Sequence, residues 1–261
     1  MRLVDSHCHL QSDRFDDDVD DVLAAAQAAG VERILVPGWN GWSSAAALEL
    51  VGRVPWLHAA VGVHPHDAAK VNDDDWSAIV AAARDPRVVA IGETGLDYDR
   101  VFSPILAQLV NLRRNLELAI ETGKPAILHC RSRAGEREAQ DALLAEVRAF
   151  GGDAPAIVIH SFSGPVDYAE AMLDLGAAIS ISGLAFRRGE ESTAEAIRLV
   201  PSDRLLVATD SPYLPPPRGP RGRNTPEWVQ VTAAWVAELR GESQERTGDA
   251  LVAAYDAVFG H

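Results

Sequence analysis

Five short apolar runs each lead into a side chain able to bind a metal or move a proton. The first enters His7-Cys8-His9, Val-Val-Ala-Ile-Gly runs into Glu93, Ala-Ile-Leu closes on His129, Ile-Val-Ile closes on His160, and Val-Ala-Thr runs into Asp210. Residues i and i+2 of an extended segment project to one face, so His7 and His9 can grip one ion while Cys8 points away. Cys8 itself reads as a small packing residue rather than a ligand. A carboxylate such as Glu93 beside histidines can bridge two cations, one oxygen to each. A single histidine closing a strand is more often a hydrogen-bonded core residue than a ligand, but His129 and His160 share that placement, which shifts the balance. Asp210 could bind metal and accept the proton of an attacking water. Four histidines, one glutamate and one aspartate suffice for two divalent ions sharing a carboxylate. This mixed nitrogen and oxygen set leaves zinc, magnesium and manganese all open. The chemistry that follows is metal-assisted hydrolysis, because such ions acidify water and polarise a carbonyl or phosphoryl group.

Those residues need elements to position them. Candidate strands are Leu3–His7, Arg33–Val36, His58–Val63, Val88–Gly92, Ala126–His129, Ala156–His160, Ala177–Ser182 and Leu205–Thr209. Between them run candidate helices Asp18–Ala29, Ser43–Val51, Asp74–Ala83, Pro104–Thr122, Gly135–Phe150, Val166–Leu175, Glu190–Val200 and Pro226–Arg240, and a last helix spans Gly248–Phe259. Gly30 and Gly123 mark helix stops just ahead of strand starts. Strands alternating with helices imply a parallel sheet. Eight units in this length match an α/β fold of the (β/α)8 TIM-barrel type with an additional C-terminal helix. A doubly wound sheet is the alternative, but it would spread the five strand ends apart, whereas a barrel gathers them at one mouth.

With 261 residues the chain is long enough for one large domain, 1–261, or two small ones, and no linker-like stretch divides it. No apolar run reaches the length of a membrane span, and the start MRLVDSHCHL lacks the apolar region of a secretory signal. Two cysteines, Cys8 and Cys130, make no disulfide framework, which suits a reducing cytoplasm. The net charge of −14 excludes a uniformly basic DNA-coating surface but leaves room for a local basic site. On a barrel, the loops of the mouth carry Arg100, Arg131, Arg133, Arg187, Arg188, Arg218, Arg221 and Arg223. His64 follows the third strand and could contact a scissile phosphate or leaving oxygen, or serve only as a cap. Trp39, Trp42 and Tyr98 fall on the same face and could stack on bases or simply cover the core.

Several longer stretches make a resemblance specific: Val4-Asp5-Ser6-His7-Cys8-His9-Leu10, Gly62-Val63-His64-Pro65, Ile91-Gly92-Glu93-Thr94-Gly95-Leu96-Asp97-Tyr98, His160-Ser161-Phe162-Ser163-Gly164 and Thr209-Asp210-Ser211-Pro212-Tyr213-Leu214. Together they resemble the TatD family of metal-dependent hydrolases. The resemblance implies a TIM barrel, one or two divalent ions and deoxyribonuclease activity, often as a 3′-to-5′ exonuclease. It also implies His7, His9, Glu93 and Asp210 at one metal, with Glu93, His129 and His160 at the other. Three stretches depart from the family pattern. His129-Cys130-Arg131 stands where His-Ser-Arg is usual, and Gln108, Leu112 and Asn115 replace a Gln-x-x-x-Phe-x-x-Gln pattern. The loop Arg218-Gly219-Pro220-Arg221-Gly222-Arg223-Asn224-Thr225-Pro226 is one residue longer and lacks the usual Lys and Glu.

The leading expectation is therefore a hydrolase of DNA ends, probed first on single strands. A metal-activated water would attack, Asp210 would be the general base with Glu93 as the catalytic bridge, and His64, Arg221, Arg223 and Tyr98 would hold substrate. The alternative in the same chemistry is a small ester or amide, including aminoacyl esters. A third reading is a non-catalytic barrel scaffold, which the loss of a ligand would favour.

Overall fold

A computed structural model describes residues 1–151 and 154–260, so positions 152, 153 and 261 of the expected domain lie outside the described residues. Strands and helices alternate from the start. They are β1 (Leu3–Asp5), α1 (Val19–Ala28), β2 (Val31–Pro37), α2 (Gly41–Arg53), β3 (Leu57–Val61), α3 (Asp73–Ala82), β4 (Val88–Asp97) and α4 (Ile105–Thr122). The second half follows as β5 (Ala126–Arg131), α5 (Glu138–Phe150), β6 (Ile157–Ile159), α6 (Val166–Asp174), β7 (Ala178–Ile181), α7 (Glu191–Leu199), β8 (Leu205–Val207), α8 (Val229–Arg240) and α9 (Gln244–Phe259).

The eight strands lie in the order β1 to β8 and every neighbouring pair is parallel. The ring closes where the Ser6 N–H donates to the Val207 carbonyl (2.9 Å) and, just past both strands, where Cys8 bridges Ser211. This is the expected (β/α)8 TIM barrel, and the doubly wound alternative is excluded by the unbroken strand order. The physical driver is burial on both faces of the sheet: every residue of β1, β3, β6, β7 and β8 is buried. Helices cover the outside with their apolar stripes, such as Leu112, Leu116 and Ala119 of α4. The chain stops α4 at Gly123, left-handed at φ 65°, and α2 starts on a capping box between Asn40 and Ser43. The extra helix α9 packs against β1 and β8, and its Tyr255 hydroxyl lies 2.9 Å from His58 Nδ1 at the foot of β3.

Element types follow expectation, while many boundaries move by one or more residues; the last helix begins four residues early, at Gln244 behind the Ser243 cap, and three shifts beside the site have a clear cause. The first strand ends at Asp5, not His7, because beyond it the chain hydrogen-bonds to both sides in turn: Cys8 N–H donates to Leu35 O and His9 N–H to Ser211 O. The fourth strand runs on to Asp97 because β5 stays beside it after a register shift between Ile91 and Thr94, pairing Gly95 with His129 and Asp97 with Arg131. Glu93 therefore lies within a strand rather than just past one. The fifth helix begins at Glu138 instead of Gly135, leaving Arg131–Arg137 as mouth loop apart from the end of β5.

Candidate metal centre

The residues expected to act together do meet at the C-terminal mouth of the barrel. His7 and His9 reach inward from the segment beyond β1, their Nε2 atoms 3.3 Å apart, while Cys8 between them is fully buried in the core. Glu93 is the hub. Its Oε2 lies 3.1 Å from His7 Nε2 and 3.8 Å from His9 Nε2, and its Oε1 lies 3.0 Å from His129 Nδ1 and 3.7 Å from His64 Nε2. Asp210 Oδ1 faces His9 Nε2 and His160 Nε2, 3.5 Å from each. The His160 ring stacks on His7 at 3.4 Å and 14°.

The chain takes trouble to hold these atoms. Asp210 sits at φ 56°, a left-handed conformation costly for a residue with a Cβ. Its backbone N–H donates to His7 O (2.9 Å), tying the two ligand segments together. Beneath them the buried carboxylate of Asp5 accepts from the N–H groups of His7 (3.2 Å) and Thr209 (2.9 Å) and from the Thr209 hydroxyl (2.5 Å). Helix α4 braces the other half through buried amides. Gln108 accepts from the Asp97 N–H (2.8 Å) and donates to the Ser103 carbonyl (2.8 Å), while Asn111 donates to Val63 O (2.7 Å). Asn115 Oδ1 accepts from the Val63 N–H (3.3 Å), so Gln108, which keeps the first position of the family pattern, and Asn115, which departs from its last, both belong to the scaffold under the site.

The electrostatics suit cation binding. Burial opposes ionisation of Glu93, but the neighbouring His7 and His64 hold its pKa well below the carboxylate range. Asp210 is likewise kept ionised against burial by its hydrogen bonds with His160 and His9. Burial first, and then the charge of His160, push His7 down to about 4, so it is a neutral donor at pH 7. His129 goes the other way: burial would lower it, but Asp97 and Glu93 raise it to about 9.

The donor chemistry fits divalent ions. Three groups of possible ligand atoms, His7–His160–Asp210, His7–His9–Glu93 and His64–Glu93–His129, each gather within 4.8 Å. The ring atoms His7 Nδ1, His160 Nδ1 and His129 Nε2 are buried with no hydrogen-bond partner, and the carboxylate facing His129 Nε2, Asp97, stands off at 3.4 Å. The two oxygens of Glu93 face different groups, as a bridging carboxylate must. The division differs in one respect from the resemblance: His160 stands with His7 and Asp210, and His64, expected at substrate, shares Glu93 and His129 instead.

A cavity of about 450 Å³ opens over this cluster. His64, Trp39, Arg100 and Arg131 line it as the mouth placement implied. Three expected substrate contacts lie elsewhere. The Arg223 guanidinium grips the Asp18 carboxylate (2.6 and 2.8 Å), donates to Arg14 O and covers the Phe15 ring, because Asp18 and Phe15 lie across from that loop. Arg221 is exposed outside the cavity lining, and Tyr98 packs half-buried against the core. Conversely, His66, Asp97 and Phe102 line the cavity without having been singled out. His66 Nε2 bonds Asp97 Oδ2 at 2.7 Å. Because β4 runs on to Asp97, that residue stands two and four positions from Gly95 and Glu93 on the same face, a relation that a strand ending at Gly92 conceals.

A parallel eight-stranded barrel whose strand ends converge on a shared carboxylate, five neighbouring imidazoles and an ionised aspartate defines a barrel hydrolase of the metal-dependent class. The comparisons with known proteins agree. Residues 4–260 match the model of the TatD related DNase family, and the chain belongs to that family. It is 38% identical over 253 residues to the "3′-5′ ssDNA/RNA exonuclease TatD" of Erwinia billingiae, covering 94% of each chain. It is 32% identical over 238 residues to the "Uncharacterized metal-dependent hydrolase YabD" of Bacillus subtilis, covering 91% of each. The crystal structure of YjjV, a TatD homologue from Escherichia coli, superposes with a TM-score of 0.90 at 30% identity, covering 100% of this chain and 98% of that one.

Proposed function

We propose that this protein is a 3′-to-5′ exonuclease acting on single-stranded DNA ends, working as one domain in the cytoplasm. The observation that carries the reading is the split allegiance of Glu93, one oxygen toward His7 and His9 and the other toward His129 and His64, on the floor of a cavity bordered by Lys70, Arg100 and Arg131. The naming of the Erwinia relative supports the substrate class. The free, buried thiols of Cys8 and Cys130 support a reducing compartment. No helix among the described residues is long and apolar enough to cross a membrane.

His7, His9, Glu93, His160 and Asp210 would hold one ion, and Glu93, His129 and His64 the other. Such ions supply an acidified water and positive charge against the phosphoryl oxygens. Asp210, ionised and held by His9 and His160, accepts the proton of the attacking water as general base. Glu93 keeps the two halves of the site at a constant spacing. Hydrolysis of a small ester or amide is the second reading, and one observation favours it: Arg223, part of the basic loop that argued for a polyanion, is already neutralised by Asp18.

The test is incubation of metal-reconstituted protein with a 5′-labelled single-stranded oligomer, beside the Glu93→Ala variant. Stepwise shortening from the 3′ end, lost in the variant, is the expected result. An oligomer left intact in magnesium, manganese and zinc alike would turn the assignment to small esters and amides.

A further inference from the structure

The loop between β4 and α4 displays an aromatic ring that folding alone gives no reason to expose. Phe102 is 63% exposed, meets the ring of His66 edge-on at 4.7 Å and 74°, and borders the cavity over Glu93 and His129. The backbone behind it is strained: Val101 has φ 49°, a left-handed conformation that β-branched residues avoid. Hydrogen bonds hold that conformation in place. Asp97 Oδ1 accepts from the N–H groups of Asp99 (3.0 Å) and Arg100 (2.8 Å). Ser103 Oγ donates to His66 O (2.9 Å) and accepts from Ala69 N–H (3.1 Å). Strain held by this many bonds to present an open ring makes sense when the ring meets a ligand.

The charge beside it points to the kind of ligand. Of the cations bordering the cavity, Arg131 is paired with Asp99 at 2.8 Å and Lys70 with Asp67 at 2.6 Å. Arg100 borders the same cavity and pairs with no carboxylate among the described residues. An uncompensated guanidinium two residues from an open aromatic face is the combination a nucleotide requires, a cation for the phosphate and a ring for the base. We infer that Phe102 is the stacking platform for the base of the 3′-terminal nucleotide and that Arg100 binds the backbone phosphate beside it. This rests on the exonuclease reading of the same site and adds what holds the strand end there. The occupant is a nucleobase rather than a protein because Phe102 borders the same cavity as Glu93, His129 and Asp210. The exposed Leu106 and Val110 that follow it along α4 border a separate depression.

The test is binding of manganese-loaded protein to fluorescein-labelled oligothymidylate whose last linkage is a phosphorothioate, with the terminal base present or absent. Loss of the ring in Phe102→Ala, or of the base, should each weaken binding about tenfold, and the two together no more than either alone. Phe102→Trp should restore affinity for the intact oligomer. Arg100→Gln should weaken both oligomers alike and lower the salt slope by about 0.7. If Phe102→Ala weakens both oligomers equally, or neither, while the wild type still shortens unmodified DNA, the platform is overturned and the exonuclease reading stands. A wild type that neither binds nor shortens any oligomer overturns both.

Discussion

Loading a metal ion onto His129 must displace a proton, and the structure sets the size of that competition. His129 Nδ1 faces Glu93 Oε1 at 3.0 Å and its Nε2 faces Asp97 Oδ2 at 3.4 Å, so the ring is held between two carboxylates. Burial by itself would favour the neutral ring; Asp97 and Glu93 override it and set the pKa at about 9. A ligand imidazole must be neutral. At pH 7, about two pH units below that value, the deprotonation therefore costs roughly 3 kcal/mol, or about a hundredfold in affinity. His7, already neutral with a pKa of about 4, imposes no such cost. The expected outcome is an affinity at the Glu93–His129–His64 half that climbs about tenfold per pH unit toward pH 9. Manganese titrations between about pH 6.5 and 8.5, read by electron paramagnetic resonance of the free ion, would measure it. Calorimetry in buffers of different ionisation enthalpy should find about one proton released with the weaker ion at pH 7. Asp97→Asn should lower the pKa of His129, flatten the slope and reduce the proton count. The sign also fixes the stability of metal-free protein. This raised pKa contributes stability fully below about pH 6.5 that is lost as pH rises through 9, so Tm should fall over that window. Affinity independent of pH, with no proton released, would refute the picture of a clamped imidazolium.

Three further outcomes follow from the same geometry. Asp210→Asn hardly changes side-chain volume, so the circular dichroism spectrum should persist while hydrolysis by metal-loaded protein drops by about 10²-fold or more; near-normal turnover would remove Asp210 as general base. Gly95→Ala should cost roughly 3 kcal/mol or more, because φ is +138° and the added Cβ would lie 2.0 Å from the His129 carbonyl oxygen; chemical denaturation would measure it, and an unchanged midpoint would contradict the close approach of β4 to β5. Arg223→Ala should lower Tm, since it frees Asp18 and uncovers Phe15, while leaving KM for an oligonucleotide within about twofold; a large rise in KM with unchanged Tm would return this residue to the substrate path.

Much of the site was legible in the sequence because its information is local. An apolar run followed at once by His129, His160 or Glu93 carries its own strand and its own ligand, and the spacing of His7 and His9 sets their common side without reference to the rest of the chain. The same locality explains the strand and helix order, from which the barrel followed by counting. What stayed hidden depends on atoms brought together from distant segments. Arg223 looked like a substrate contact because nothing near it in sequence neutralises it, and its partner Asp18 is 205 residues away. The grouping of His64 with Glu93 and His129, and of His160 with His7 and Asp210, is decided by how the ends of β3 to β8 converge around the ring. Asp97 acquired its role only when the register shift in β4 carried that strand past Glu93 and alongside β5. Residue types and their spacing along single strands thus determined the chemistry available. Barrel closure decided which donors share an ion and which cations remain free, because Coulomb and hydrogen-bond energies depend on distances of a few ångströms that no linear spacing encodes.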